Sequence, residues 1–320
     1  IKGTLNIAVP EQRTTDPRAY ALFLEARELQ RQGTAEGYEE AIALYRRVLE
    51  IDPNYPPAWD NMAAIYQSQA VTGLRPAEEG FQLAEEAALR AIEVDPEFAD
   101  AYSTLAFMAQ YREADLSVAA DYLRKALELA PNDASLVGSA GMLLQNLGRL
   151  EEGVPPIEYT VARDPLSAAW NYTLGIAYLA AGQNDDAVRM FEKTLELSPD
   201  FSLAWDHLGS ALMLAGDVDR AVDAMRKEPR EAWQLTGLTM ALYERERQGA
   251  GAPATGETSD QVLAELEAKY AGNMTYNLGY VYAHRGDADR AFQWLEKAVE
   301  VGDTGLGELL TQPLFGALHD

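Results

Sequence analysis

The stretch Pro199-Asp-Phe-Ser-Leu-Ala-Trp205-Asp-His-Leu208-Gly209-Ser-Ala-Leu212-Met-Leu-Ala-Gly216-Asp-Val-Asp-Arg-Ala221-Val-Asp-Ala-Met225 decides the fold. Trp205, Leu208 and Leu212 recur at helical spacing and share one face of a first helix. Gly209, beside Leu208, lets a second helix approach where a larger side chain would hold the backbones apart. Gly216 closes the first helix at the left-handed position that favours glycine. Ala221 and Met225 lie four apart on the second helix, with Ala221 the small residue from the other side. Pro199 stops the preceding helix, because proline has no N–H to donate. The stretch reads as one helical pair.

The same frame returns along the chain. One repeat earlier it reads Asn171, Leu174, Gly175, Tyr178, Gly182, Ala187 and Phe191, and before that Val137, Ala140, Gly141, Leu144, Gly148, Gly153 and Ile157. Tyr102, Leu105, Ala106 and Ala109 with Ala119, Leu123 and Ala126 match it, as do Trp59, Met62, Ala63 and Tyr66 with Ala84, Ala88 and Ala91. Pro131, Pro165 and Pro199 are 34 residues apart. The interval from Pro96 is one residue longer, and that from Pro53 to Pro96 carries nine extra residues, assigned to a loop at Ala70–Pro76. Toward the C-terminus Thr275, Leu278, Gly279, Tyr282, Gly286, Ala291, Leu295 and Ala298 form a good repeat. Before it, Trp233, Thr236, Gly237 and Met240 form a first helix, residues 249–258 a loop, and Val262 and Leu266 a second helix. Leu22, Ala26, Leu29, Ala41, Tyr45 and Val48 make a stretched first pair. Lys227-Glu228-Pro229 is expected to cut one second helix short.

A 34-residue period with small residues at these sites is the signature of the tetratricopeptide (TPR) repeat, which the chain resembles over nearly its whole length. The expected fold is all-α, a right-handed α-α superhelix (TPR solenoid) of about eight helical pairs, the seventh degenerate. Residues 1–15 read as a linker or the remnant of an upstream domain, 16–302 as the solenoid and 303–320 as a capping segment that folds over the last apolar face. The chain begins with Ile, which reads as a piece of a longer protein.

Composition narrows the function. Acidic residues number 51 against 26 basic, a net charge of −25, which repels phosphate backbones and anionic head groups. Nucleic acid is therefore not an expected partner. The absence of cysteine excludes disulfides, thiolate metal sites and thiol nucleophiles. No apolar run reaches the roughly 18 residues of a membrane span. No HExxH, GxSxG or phosphate-cradling Gly-rich loop appears, so no enzyme activity, metal or cofactor is expected. Glu39-Glu40, Glu151-Glu152 and Asp185-Asp186 read as acids favoured at the starts of second helices. Of the three histidines, His207 and His284 lie on first helices, and His284 reads first as a hydrogen-bonded structural residue.

Stacked pairs leave a concave wall of first helices, the surface on which a scaffold holds a peptide or protein. The candidate groove residues are Phe107, Gln110, Tyr111, Met142, Gln145, Asn146, Tyr172, Ile176, Asp206, Met213, Tyr276, Tyr280 and His284. Aromatic and Met side chains offer adaptable contact area, and amides pair with an extended backbone. Phe107, Tyr111, Tyr172 and Tyr280 suit packing between repeats equally well. Trp59 and Trp205 are expected in the core. TPR domains that clamp a chaperone's C-terminal carboxylate line the groove with Lys, Arg and Asn; here Asn146 stands without an inward Lys, so a neutral or basic segment is favoured.

Tyr280-Val-Tyr-Ala-His-Arg-Gly-Asp-Ala-Asp-Arg-Ala-Phe-Gln-Trp-Leu-Glu-Lys-Ala298 resembles the last repeat of bacterial arrays that follow a TolB-like segment, often behind an adenylate cyclase or winged-helix domain. Asp164-Pro-Leu-Ser167, Pro313-Leu-Phe315 and the opening Thr15–Tyr20 are similar to the same group. The resemblance implies a sensory or scaffolding module, in the periplasm behind a membrane anchor or in the cytoplasm. Three readings stand: a protein-binding scaffold, the regulatory C-terminal module of a larger signalling protein, and end-to-end self-association.

Overall fold

The computed structural model describes residues 15–31, 34–72, 74–111, 115–201, 203–249, 256–303 and 305–306, with the side chains of 71, 72 and 111 outside that description. The described residues form sixteen helices: α1 (Pro17–Arg31), α2 (Ala35–Ile51), α3 (Pro56–Thr72), α4 (Ala77–Val94), α5 (Ala99–Tyr111), α6 (Leu116–Leu129), α7 (Ala134–Asn146) and α8 (Leu150–Arg163). They continue as α9 (Ala168–Ala180), α10 (Asn184–Leu197), α11 (Ala204–Leu214), α12 (Val218–Met225), α13 (Glu231–Arg247), α14 (Ser259–Tyr270), α15 (Thr275–His284) and α16 (Ala288–Val301). Among the described residues there is no strand. The fold is all-α, with eight successive helical pairs as the repeat frame requires. The chain divides into two compact units, residues 1–136 and 137–320, with α7 starting at the end of the first.

In the first unit α1/α2, α3/α4 and α5/α6 are the pairs. Its core gathers Phe23, Tyr45, Ile65 and Tyr66 around the alanines of the repeat frame, Ala41, Ala63, Ala84 and Ala88. Phe23 meets Tyr55 edge-on with ring centroids 5.2 Å apart, which fixes α1 against the turn into α3. The extra residues between Pro53 and Pro96 do not all form the expected loop, because α3 continues through Thr72. Arg75 ties the connection down: its guanidinium reaches Glu39 at 3.0 Å, Glu79 at 2.6 Å and Gln69 at 2.9 Å.

In the second unit glycines let helices touch. A Cβ built on Gly141 would stand 2.6 Å from the carbonyl oxygen of Gly153, and one on Gly153 would stand 2.6 Å from that of Gly141. Backbone meets backbone between α7 and α8, where no side chain can move aside. At the other end of the first helices, Gly148, Gly182, Gly216 and Gly286 all have φ near +75° to +90°, between +73° and +88°. Proline acts as read at Pro229: α12 holds only eight residues and stops at Met225. The core joins Phe191, Leu208, Leu212, Met225, Met240, Leu242 and Leu278.

All but Thr15 of the expected linker at 1–15, and most of the expected cap at 303–320, lie outside the described residues. Where the cap begins, Asp303 accepts hydrogen bonds from the Thr275 hydroxyl at 2.8 Å and the Tyr276 amide at 3.0 Å, and Leu306 packs on the core of the second unit.

Candidate functional site

The expected groove residues divide by burial. In the first unit Phe107 and Gln110 on α5 are half-buried, while the side chain of Tyr111 lies outside the described residues. In the second unit Met142, Asn146, Tyr172 and Ile176 on α7 and α9 are half-buried. Gln145, Asp206, Met213, Tyr276 and Tyr280 are buried, each at most 6% exposed, so packing removes them from any accessible wall. The causes are local. The Gln145 amide donates to the carbonyls of Leu150 and Ala177 at 3.2 and 3.3 Å. Tyr276 and Tyr280 meet edge-on at 5.5 Å, Tyr280 accepts from Asn277 at 2.9 Å, and the backbone of Gly305 lies against the Tyr276 ring. His284 has its Nε2 3.1 Å from a Glu244 carboxylate oxygen, and burial pushes its pKa down against the pull of that carboxylate.

Tyr172 and Asp206 are brought together around His207. The Tyr172 hydroxyl is 3.3 Å from His207 Nδ1, and the rings meet edge-on at 5.4 Å. Nδ1 is also 3.0 Å from the Leu203 carbonyl and 3.9 Å from Asp206. Leu203 has φ +65°, the one positive φ outside glycine among the described residues, and that backbone turns its carbonyl toward the ring. Burial lowers the His207 pKa; the Leu203 carbonyl and Glu228 oppose this and Arg230 adds to it. The imidazole is held neutral, a poor proton donor at neutral pH. Glu228 and Arg230 lie in the break after α12, where their role is not given by the repeat frame. The Glu-Pro-Arg interruption was the available signal, but it announces only a helix end.

In the first unit, Asp60 on α3 accepts from the Thr104 hydroxyl of α5 at 2.9 Å. Burial, and secondarily Asp100, push its pKa up to about 7 against that hydrogen bond. The folded chain therefore holds this proton more tightly than the unfolded chain. Stability contributed at low pH is lost as pH rises from about 4 to about 7. Asp60→Asn is expected to raise the thermal midpoint of the first unit above wild type at pH 8 and leave it nearly unchanged at pH 4. Parallel melts at both values check this.

Among the described residues no group of three or more His, Cys, Asp or Glu side chains converges as a metal site, and no helix is long and apolar enough to cross a membrane.

The model for the tetratricopeptide repeat matches residues 172–235 and 261–304, and a second TPR repeat model matches residues 36–69. A TPR repeat-containing protein of Pseudomonas aeruginosa is 30% identical over 92 residues, 29% of this chain and 79% of that protein. The chain belongs to the tetratricopeptide repeat family. It is also similar to mouse DnaJ homolog subfamily C member 7, 32% identical over 89 residues, which is 28% of this chain but only 18% of that protein's length. Among solved structures, a human IFIT1 dimer with m7Gppp-AAAA aligns over 89% of this chain and 72% of its own, with a TM-score of 0.58 and 18% identity. At that identity the likeness is one of fold alone. TPR proteins bind protein partners and are typically non-catalytic.

Trp59 and Trp205 pack against the cores of their units and are half-buried. Lys227 lies over the Trp205 ring at 4.5 Å, a cation on its open side.

Proposed function

We propose that the chain is a non-catalytic scaffold that holds a polypeptide segment against its first helices. The observation that carries this is the set of apolar and amide side chains on those helices that stay half-buried: Phe107 and Gln110 in one unit, and Met142, Asn146, Tyr172 and Ile176 in the other. Such surfaces suit an extended or helical segment, with amides for its backbone and Met and aromatic groups for its side chains. The net charge of −25 favours a neutral or basic segment and opposes nucleic acid, so the RNA seen with IFIT1 is not carried over.

The test uses a segment captured from the source cells and resynthesised. Phe107→Ala should weaken binding of a segment held by the first unit, and Ile176→Ala binding of one held by the second, each about tenfold, while melting curves stay near wild type. Undiminished affinity in both variants removes the first-helix surface from consideration.

A second reading is favoured by the sequence Tyr280–Ala298, which resembles the last repeat of TolB-like and cyclase- or regulator-linked arrays. On it, the same surface serves as the regulatory module of a larger signalling protein. The coding sequence upstream of Ile1 distinguishes the two.

A further inference from the structure

We propose that the first unit carries a second peptide site on the far side of α3: a cleft between α2 and α4 that takes one bulky apolar side chain flanked by an acidic and a basic residue. The cleft encloses about 580 Å³, within the roughly 300–1,000 Å³ common for ligand sites. Its floor is Trp59, Met62 and Tyr66 of α3. At 3.6 residues per turn these lie roughly 130° around α3 from Asp60, Ala64 and Gln67, of which Ala64 and Gln67 hold the positions in the repeat frame that Phe107 and Gln110 hold on α5. The two sites are therefore distinct, and this inference does not rest on the function proposed above.

The apolar contribution comes from Leu49 on one wall and Leu83 and Ala87 on the other, over the half-buried Trp59 ring. The Trp59 indole N–H is enclosed and has no acceptor. An inserted segment brings backbone carbonyls, and a small rotation of the ring supplies the missing bond.

The charges select the flanking residues. α2 places Arg46 and Glu50 on its wall, and α4 places Glu86 and Arg90 on the other. Each set is spaced four apart on its helix, a spacing at which α14 closes its Glu265–Lys269 pair. Here neither pair closes. The Arg46 guanidinium donates to the Tyr66 hydroxyl at 3.2 Å, and among the described residues it meets no carboxylate and Glu50 has no partner. Glu86 accepts from Gln82 at 3.1 Å, and Arg90 turns to Glu93. In a chain with twice as many acids as bases, a guanidinium left without a carboxylate at the mouth of a cleft is a place for a partner's acid. Glu50 and Glu86 receive its base. Opposite charges on both sides of an apolar anchor match this rim, whereas a uniformly basic or acidic segment meets repulsion on one side.

The probe is a library of random dodecapeptides displayed on phage, panned on the full chain and counter-selected on the same chain carrying Arg46→Glu and Glu86→Lys together. Peptides with a bulky apolar residue between opposite charges should enrich. A synthetic representative should lose about tenfold in affinity with either substitution alone, and should bind Phe107→Ala and Ile176→Ala chains as it binds wild type. Both rim side chains are exposed, and melting curves of each variant confirm folding. Failure to enrich any peptide whose binding falls in the rim variants overturns the proposal. Loss in the Phe107 and Ile176 variants instead transfers the peptide to the first-helix surface and overturns it equally.

Discussion

Replacing Phe191 with Ala is expected to cost the second unit about 3–5 kcal/mol, a loss of the size that truncating a fully buried Phe produces. Phe191 on α10 is 0% exposed. Its ring contacts Tyr172 of α9 with centroids at 5.7 Å and His207 of α11 at the same distance. A Cβ on Gly175 would come 2.7 Å from it. The ring thus fills the space left by the glycine of its own pair and reaches the first helix of the next. Truncation leaves a cavity facing three helices, none of which can close on it without pulling away from its other neighbour. The converse substitution tests the same idea. Gly175→Ala alone forces a methyl group into the ring edge and should cost about 1–3 kcal/mol by overpacking. In a Phe191→Leu background that cost should fall by more than half, because the atoms in the way have been removed. Chemical unfolding followed by circular dichroism measures wild type, Phe191→Ala, Gly175→Ala, Phe191→Leu and the Gly175→Ala/Phe191→Leu double variant. Strict additivity of the two changes would refute the account of the repeat as small residue against large.

That account is also why the fold could be read from the sequence. The period survives because each interhelical contact has one residue that must be small. A Cβ on Gly175, Gly209 or Gly279 meets Phe191, Met225 or Leu295 within 3 Å. Selection for close approach leaves a mark every 34 residues, and glycine φ values repeat the mark at each first-helix end. The candidate surface was less legible. Helical spacing states which way a side chain points but not what lies against it. Tyr276 and Tyr280 point as Tyr172 does in the frame, yet residues 275–283 are buried without a break. Part of the cover comes from Gly305, outside any repeat. The Gln145 amide reads as a peptide hook and serves carbonyls of its own chain. Trp59 occupies a core position and instead floors a cleft, because what flanks it depends on the spacing of α2 and α4, a distance no periodicity encodes.

Arg230→Met is expected to destabilise the second unit by about 2–4 kcal/mol, near the lower range for breaking a buried ion pair because the guanidinium is part-exposed. The site arises where Pro229 denies α12 its next hydrogen bond. Glu228 then turns inward, with its side chain 1% exposed. One carboxylate oxygen accepts from the Arg230 amide at 3.2 Å and from Arg230 Nε at 2.9 Å, while the other is enclosed without a donor. Gln234 holds the break in shape by donating to the carbonyls of Arg226 and Glu228 at 2.9 and 3.2 Å. Arg230 also stacks over Trp233 at 5.3 Å, which the thioether of Met partly replaces. What Met cannot replace is the positive charge, so a carboxylate is left in a low-dielectric surround. Adding Glu228→Gln to Arg230→Met removes that charge and should recover most of the loss, since the cost lies in the orphaned partner rather than in the missing pair. His207 supplies an independent readout. Arg230 helps to lower its pKa and Glu228 to raise it, so the value should move up in Arg230→Met and back down in the double variant. Imidazole shifts followed by NMR across pH 4 to 8 would show the excursion. A flat response together with additive stability losses would mean that Glu228 and Arg230 are held by packing alone.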